Sequence, residues 1–315
     1  MSRVSKNSNK PDPNFDNSAK NYLPFGRVFR SLRRSKKFSL NEAAEGVLSV
    51  SQLSKFENGQ SLVNVERFFE ALDNINVNVL EFQNAYNHSR DSADVVPLNF
   101  EITRAYLNKS TMKLELILDK IQKELSLHPN SKKYRLNKIH LEAVLHFLGL
   151  PRQLSLTDID YLKKYLLNLK EWGRCDLLLF AHTMAVFDSV SLVKIAGNMI
   201  SPLQINAKFN NNTRPFVLAL LNLITNFIER DLLDLADRYT FYFKQLDVNE
   251  MYMYEKTMFR YHQEVLAYKR KKSQSILKNM KDYCDIFEKC GCQMTAKALT
   301  KEIEAFENGK NPRLH

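Results

Sequence analysis

Glycine is scarce in this chain: 8 of 315 residues, about 2.5% against a usual ~7%. Glycine reaches positive φ without strain and tight hairpin turns depend on it, so a β-rich fold is disfavoured. Cysteine occurs four times (Cys175, Cys284, Cys290, Cys292). No pair has C-x-x-C spacing, and four thiols in a chain this long do not make a disulfide framework. Cys290-Gly-Cys292 has no complementary Cys/His pair nearby, so no metal is expected. Reduced thiols fit a cytoplasmic protein. Long apolar runs are missing as well. The longest, residues 216–228, contains Asn222, Thr225 and Asn226 and is too short and too polar to span a bilayer. The basic N-terminus lacks the apolar segment of a secretory signal. Catalytic signatures are absent: there is no G-x-x-x-x-G-K-S/T, no G-x-S-x-G and no H-E-x-x-H. The seven histidines are scattered, and His140 and His146 do not share a helical face. Neither an enzyme nor a cofactor is expected, and no membrane partner.

What is present is helical and basic. Leu, Lys, Asn, Glu and Phe dominate, and the 44% hydrophobic fraction with 26% charged residues is that of a globular chain. Its length suggests two domains. The net charge is +11. Residues 1–38 hold ten Lys and Arg against Asp12 and Asp16. That segment therefore carries +8 of the total, an electrostatic footprint suited to phosphates or acidic groups.

Residues 1–24, rich in Ser, Asn, Lys and Pro, read as a disordered tail. Residues 25–86 read as a compact set of short helices, residues 87–94 as a linker, and residues 95–315 as helices throughout. Breaks in that last region fall at Pro129, Gly149-Leu150-Pro151, Ser201-Pro202, Asn210 to Asn212 and Gly291. They delimit helices of some 15–20 residues whose faces stacked hairpins would bury. The expected fold is all-α: a five-helix bundle followed by a right-handed superhelix of helical hairpins, similar to tetratricopeptide repeats.

Phe25, Val28, Phe29 and Leu32 share one helical face, with Arg27, Arg30, Arg34 and Lys37 roughly opposite. Ser39-Leu40-Asn41-Glu42 has the capping-box pattern, and Ser49-Val50-Ser51-Gln52 repeats it ten residues later. Two short capped helices at a tight connection predict a helix-turn-helix. In the second helix Leu53 and Phe56 suit the core, leaving Ser51, Ser54, Lys55 and Asn58 outside. Short polar side chains and one cation let such a helix enter a major groove and reach base edges. Asn58-Gly59 should end that helix. Asn64 should cap the next, where Phe68, Phe69 and Leu72 pack.

The strings SLNEAAEG, SVSQLSKFENG and FFEALDNINVNVLEF resemble the xenobiotic-response-element/lambda-repressor type of helix-turn-helix, and within it the Rgg (MutR/GadR) family of transcriptional regulators. The resemblance continues, less specifically, through Tyr165-Leu166-Leu167, Trp172-Gly173 and Tyr254 to Phe259. It implies DNA contacts from Ser49, Val50, Ser51, Gln52 and Lys55, with Arg33 and Arg34 on backbone phosphates. Val50 replaces the polar residue of many relatives and offers a methyl contact to thymine instead. The resemblance also implies a homodimer that binds a double-stranded DNA operator, and a concave repeat surface that binds a short peptide pheromone.

A peptide receptor needs amides or guanidinium groups for the ligand's backbone and termini. Asn222 and Asn226 lie one turn apart on an otherwise apolar helix. Arg260 and Gln263 lie three apart on another, beside Phe259 and His262. His182 interrupts the apolar run 177–186. These seven are the candidate ligand residues. The competing reading ties the asparagines to neighbouring carbonyls and makes the histidines satisfied core residues; Trp172 reads as core. Two other functions stay open: a repressor that senses a small molecule or nothing, and a helical-repeat scaffold that does not bind DNA.

Overall fold

The computed structural model describes residues 23–89, 110–150, 153–200 and 213–312. The expected tail, apart from its last two residues, lies outside them. So do residues 90–94 of the expected linker and the breaks at Pro151, Ser201-Pro202 and Asn210 to Asn212. Among the described residues the chain is all-helical, and it divides into two compact units, residues 1–95 and 96–315.

The first unit holds α1 (Leu23–Ser35), α2 (Leu40–Ala44), α3 (Val50–Glu57), α4 (Val65–Asn74) and α5 (Val79–Ser89). α5 runs through Ser89, three residues into the stretch read as a linker. Both capping boxes form: Ser39 with Glu42 starts α2, and Ser49 with Gln52 starts α3. Asn64 caps α4 by accepting the Arg67 amide at 2.9 Å. Each cap supplies an acceptor to helix-start N–H groups that have no partner within the helix. Beyond Glu57 the chain turns at Gly59, φ +72°, where the Gln60 amide reaches back to the Lys55 carbonyl at 2.8 Å. A left-handed residue there costs glycine little.

Phe29, Leu53, Phe56, Phe68, Leu72, Ile75 and Phe82 form the bundle's core. The Phe25 ring contacts those of Phe68, Phe82 and Tyr86 with centroids at 4.7–5.0 Å. Gly26 lets α1 cross α3 at close range, since a Cβ there would stand 1.9 Å from the Phe56 carbonyl oxygen. Phe69, expected to pack, is 44% exposed. The core takes Phe68, Ala71, Leu72 and Ile75, and a residue 100° from Phe68 on the helix falls outside that stripe.

The second unit contains α6 (Thr111–Leu127), α7 (Lys132–Phe147), α8 (Leu156–Leu167), α9 (Arg174–Thr183), α10 (Ser189–Met199), α11 (Thr213–Glu229), α12 (Leu233–Lys244), α13 (Met253–Arg270), α14 (Gln274–Lys289) and α15 (Gln293–Glu307). Neighbours pair as hairpins: α6 with α7, α11 with α12, α13 with α14, and α14 with α15. Alternate helices also pack on one another, so α7, α9, α11 and α13 make one layer, while α8 packs on α10. One continuous apolar core runs from Ile139 to Phe306; a smaller one, around Leu114, Leu118, Leu141 and Leu145, joins α6 to α7. Trp172 is buried with its ring edge-on to Phe180 at 5.6 Å. No helix among the described residues is long and apolar enough to cross a membrane.

Candidate nucleic-acid and ligand sites

In the first unit, α3 turns Leu53 and Phe56 inward and leaves Val50, Ser51, Gln52 and Lys55 exposed, with Ser54 half-buried. Apart from Val50 the exposed side is therefore short, polar and singly charged, and it begins at the helix N-terminus. Ser49 and Gln52 both have a second task. The Ser49 hydroxyl accepts the Gln52 amide at 3.2 Å, and the Gln52 side-chain oxygen accepts the Ser49 amide at 3.1 Å.

Arg34 is exposed on α1, open to a phosphate, but Arg33 is not. Only 6% of Arg33 is accessible. Its Nε and Nη2 donate to the two Glu57 carboxylate oxygens at 2.6 and 2.8 Å, and Nη1 donates to the Phe38 carbonyl at 2.7 Å. Those hydrogen bonds, with burial opposing and the Glu57 charge assisting, hold the guanidinium's pKa above its usual value. The expectation that Arg33 binds phosphate is corrected: its donors are spent on fastening α1 to the end of α3. Arg30, on the expected cation face, also turns to α3, donating to the Asn58 side-chain oxygen at 3.0 Å.

In the second unit, the candidate ligand residues fall on three helices of one layer. His182 on α9 meets His140 on α7, with His140 Nε2 and His182 Nδ1 2.7 Å apart and the rings stacked at 5.0 Å. Burial depresses the His140 pKa well below its ordinary value, and the nearby His182 lowers it further. Burial lowers that of His182 to about 4. Both imidazoles are thus neutral near pH 7, and one donates its N–H to the other. His140 does not share a face with His146; its partner lies 42 residues away.

On α11, exposed Asn222 donates to the Ala181 carbonyl of α9 at 3.4 Å. Half-buried Asn226 keeps its side-chain oxygen inside the protein without a donor among the described residues. On α13, exposed Arg260 donates to Gln263 at 3.4 Å. His262 and Phe259 are interior, 3% and 6% exposed. A His262 ring nitrogen lies 3.2 Å from the Thr225 hydroxyl, and Phe259 stacks on Phe243 of α12 with centroids 3.9 Å apart. The expectation that His262 faces a ligand is corrected, because its ring fills the α11–α13 seam. Sequence reasoning missed Glu57, His140 and Thr225, whose roles exist only through partners on other helices. The four cysteines are free thiols, and no group of three or more metal-ligating side chains occurs among the described residues.

A bundle in which α1 and α2 pack on a short, N-capped helix with a polar outer face has the form of a helix-turn-helix. The general helix-turn-helix family model matches residues 29–82. The model for the C-terminal domain of the HTH-type transcriptional regulator Rgg matches residues 116–301, more than half of the chain. The chain belongs to the Rgg family. Its fold is similar to that of the Streptococcus dysgalactiae SHP pheromone receptor Rgg2, at 19% identity and TM-score 0.66, covering 89% of this chain and 98% of that one. A Listeria monocytogenes EGD-e protein described as a transcriptional regulator matches at 17% identity and TM-score 0.71, covering 91% and 99%. PrgX matches at 17% identity and TM-score 0.62, covering 91% and 95%.

Proposed function

We propose that this regulator is a cytoplasmic homodimer that binds an operator through α3 and receives a short signalling peptide on the α9–α11–α13 layer, with no catalytic activity of its own. The observation that carries the peptide reading is the amide pair on α11: Asn222 is exposed and Asn226, one turn further on, is half-buried, on an otherwise apolar helix. Side-chain amides offer a donor and an acceptor together, as an extended peptide backbone requires. Asn222 and Arg260 lie exposed on the same layer, so amide and guanidinium groups are available for a ligand's backbone and charge. Fold relatives support the reading: Rgg2 is a pheromone receptor, and PrgX has been solved with cCF10 and iCF10. The Asn222 contact with Ala181 favours a second reading, in which the asparagines tie α9 to α11 and the regulator senses no peptide.

One double variant separates the two. Peptides secreted by the producing culture are offered to the full chain, and those retained are identified by mass spectrometry. Under the receptor reading, Asn222→Ala/Asn226→Ala retains them ten- to a hundredfold less, a loss of about 1–3 kcal/mol from two ligand hydrogen bonds. Its melting and DNA binding stay near wild type. Under the helix-tying reading the variant melts earlier and loses both functions together. Wild-type melting with full peptide retention would sink both.

On the DNA side, Lys55→Ala is expected to weaken operator binding by about 1–3 kcal/mol and relax base preference at one position if Lys55 reads a base. If Lys55 meets only phosphate, affinity falls equally for all sequences and the salt dependence becomes shallower by one contact. Gel-shift titrations at several salt concentrations decide it. An unchanged affinity and slope would take α3 out of the interface.

A further inference from the structure

Where α12 ends and α13 begins, the chain folds around a cleft of about 400 Å³. Phe243, Phe259 and Val248 form its floor, each nearly buried. The two rings stack on each other, and the floor to which they contribute is apolar. Lys244, Lys256 and Arg260 stand at the rim, all exposed, with Asp247 the one acid among the lining residues. Three cations against one carboxylate leave the rim with a charge of +2. None of the three cations is in an ion pair among the described residues. Arg260 has one long contact, to Gln263 at 3.4 Å, which leaves most of its five donors available.

We propose that this cleft is a subsite for a carboxylate carried on an apolar stem: the anion between Arg260 and Lys256, and the stem on the Phe243–Phe259 floor. The inference deepens the peptide-receptor reading and rests on it for the identity of the natural ligand. Lys256 and Arg260 lie one turn apart on α13, so their side chains project from the same face. A guanidinium meets a carboxylate with two parallel hydrogen bonds, and an ammonium beside it adds charge without demanding geometry. An apolar floor excludes water on one side and so strengthens the attraction relative to a fully solvated surface. In a peptide the carboxylate has two sources, the C-terminus and an Asp or Glu side chain.

Three small probes separate those sources on the full chain, with binding followed by ligand-detected NMR titration. N-acetyl-leucyl-leucine carries a C-terminal carboxylate, N-acetyl-aspartyl-leucinamide a side-chain carboxylate, and N-acetyl-leucyl-leucinamide neither. At least one acid is expected to bind tenfold or more tightly than the neutral amide, and which one does so identifies the source. Arg260→Gln and Lys256→Gln should each weaken that acid five- to tenfold and leave the neutral probe unchanged. Both positions are exposed, so their melting should match wild type, and Lys272→Gln, exposed elsewhere on the chain, should bind as wild type does. Equal binding of acids and amide, or unchanged binding by both variants, would overturn the cleft. If the acid binds as expected but wild type retains no secreted peptide, the receptor reading falls and the cleft stands. If peptides are retained and acids bind no better than the amide, the cleft falls and the receptor reading stands.

Discussion

Arg33→Ala is expected to cost the N-terminal domain about 3–5 kcal/mol, because it leaves the Glu57 carboxylate buried with its main partner removed. Domain stabilities of 5–15 kcal/mol leave little after such a loss, and the Phe38 carbonyl would lose its donor as well. Hydrogen exchange of amides in residues 23–89 measures the effect in the full chain, and operator binding should disappear with the protection. The double replacement Arg33→Met/Glu57→Leu should restore most of the stability, since apolar residues of similar volume often replace a buried ion pair without loss. A phosphate contact would behave differently: protection would persist and only DNA affinity would fall. A loss of less than about 1 kcal/mol in the single variant would refute the structural role given to this pair.

Acid is expected to weaken the C-terminal domain through the His140–His182 pair. The folded pKa of His182, about 4, lies below the ordinary value of 6.5, so between those limits the unfolded chain binds more protons. Stability is therefore fully present above about pH 6.5 and drains away as pH falls toward 4. A displacement of this size is worth about 3 kcal/mol, and His140, depressed in the same direction, adds to it. Urea melts at half-unit steps from pH 7 to 4 would show the decline. Replacing both histidines by leucine should flatten it. A wild-type profile flat across this range would mean that the two imidazoles are not held neutral as described.

Much of this architecture was legible because its signals are local. The Ser39/Glu42 and Ser49/Gln52 pairs, Asn64, and Gly59 after Asn58 announce helix ends by chemistry confined to four or five residues, and each forms the cap or turn expected of it. The resemblance places Arg33 on phosphate, but its position says otherwise: it follows Phe29 by one turn and so shares a face with the core. Glu57 likewise follows Leu53 by four. Two opposite charges at apolar positions of neighbouring helices are the sequence signature of a buried pair. His140 carries the same kind of signal, lying between Leu136 and Val144 at helical spacing. What periodicity could not supply was the partner, since His182, Glu57 and Thr225 are reached only after the helices dock. The cleft at the end of α12 was hidden for the same reason, its cations coming from two helices and its floor from both.

Gln52, a candidate base contact under the operator-binding proposal, has its side-chain oxygen already engaged in the cap of α3. A glutamine that reads adenine uses both ends of its amide, the oxygen accepting from the base's N6 and the nitrogen donating to N7. Here the oxygen accepts the Ser49 amide, and releasing it would undo one half of the capping box while the Ser49 hydroxyl still holds the Gln52 amide. The oxygen keeps a second lone pair, but the cap fixes its direction, whereas the two N–H groups of the nitrogen are not tied by the cap, so donation is the freer half of this side chain. Base edges rich in acceptors, guanine above all, suit such a group better than adenine, whose amino group would need the capped oxygen.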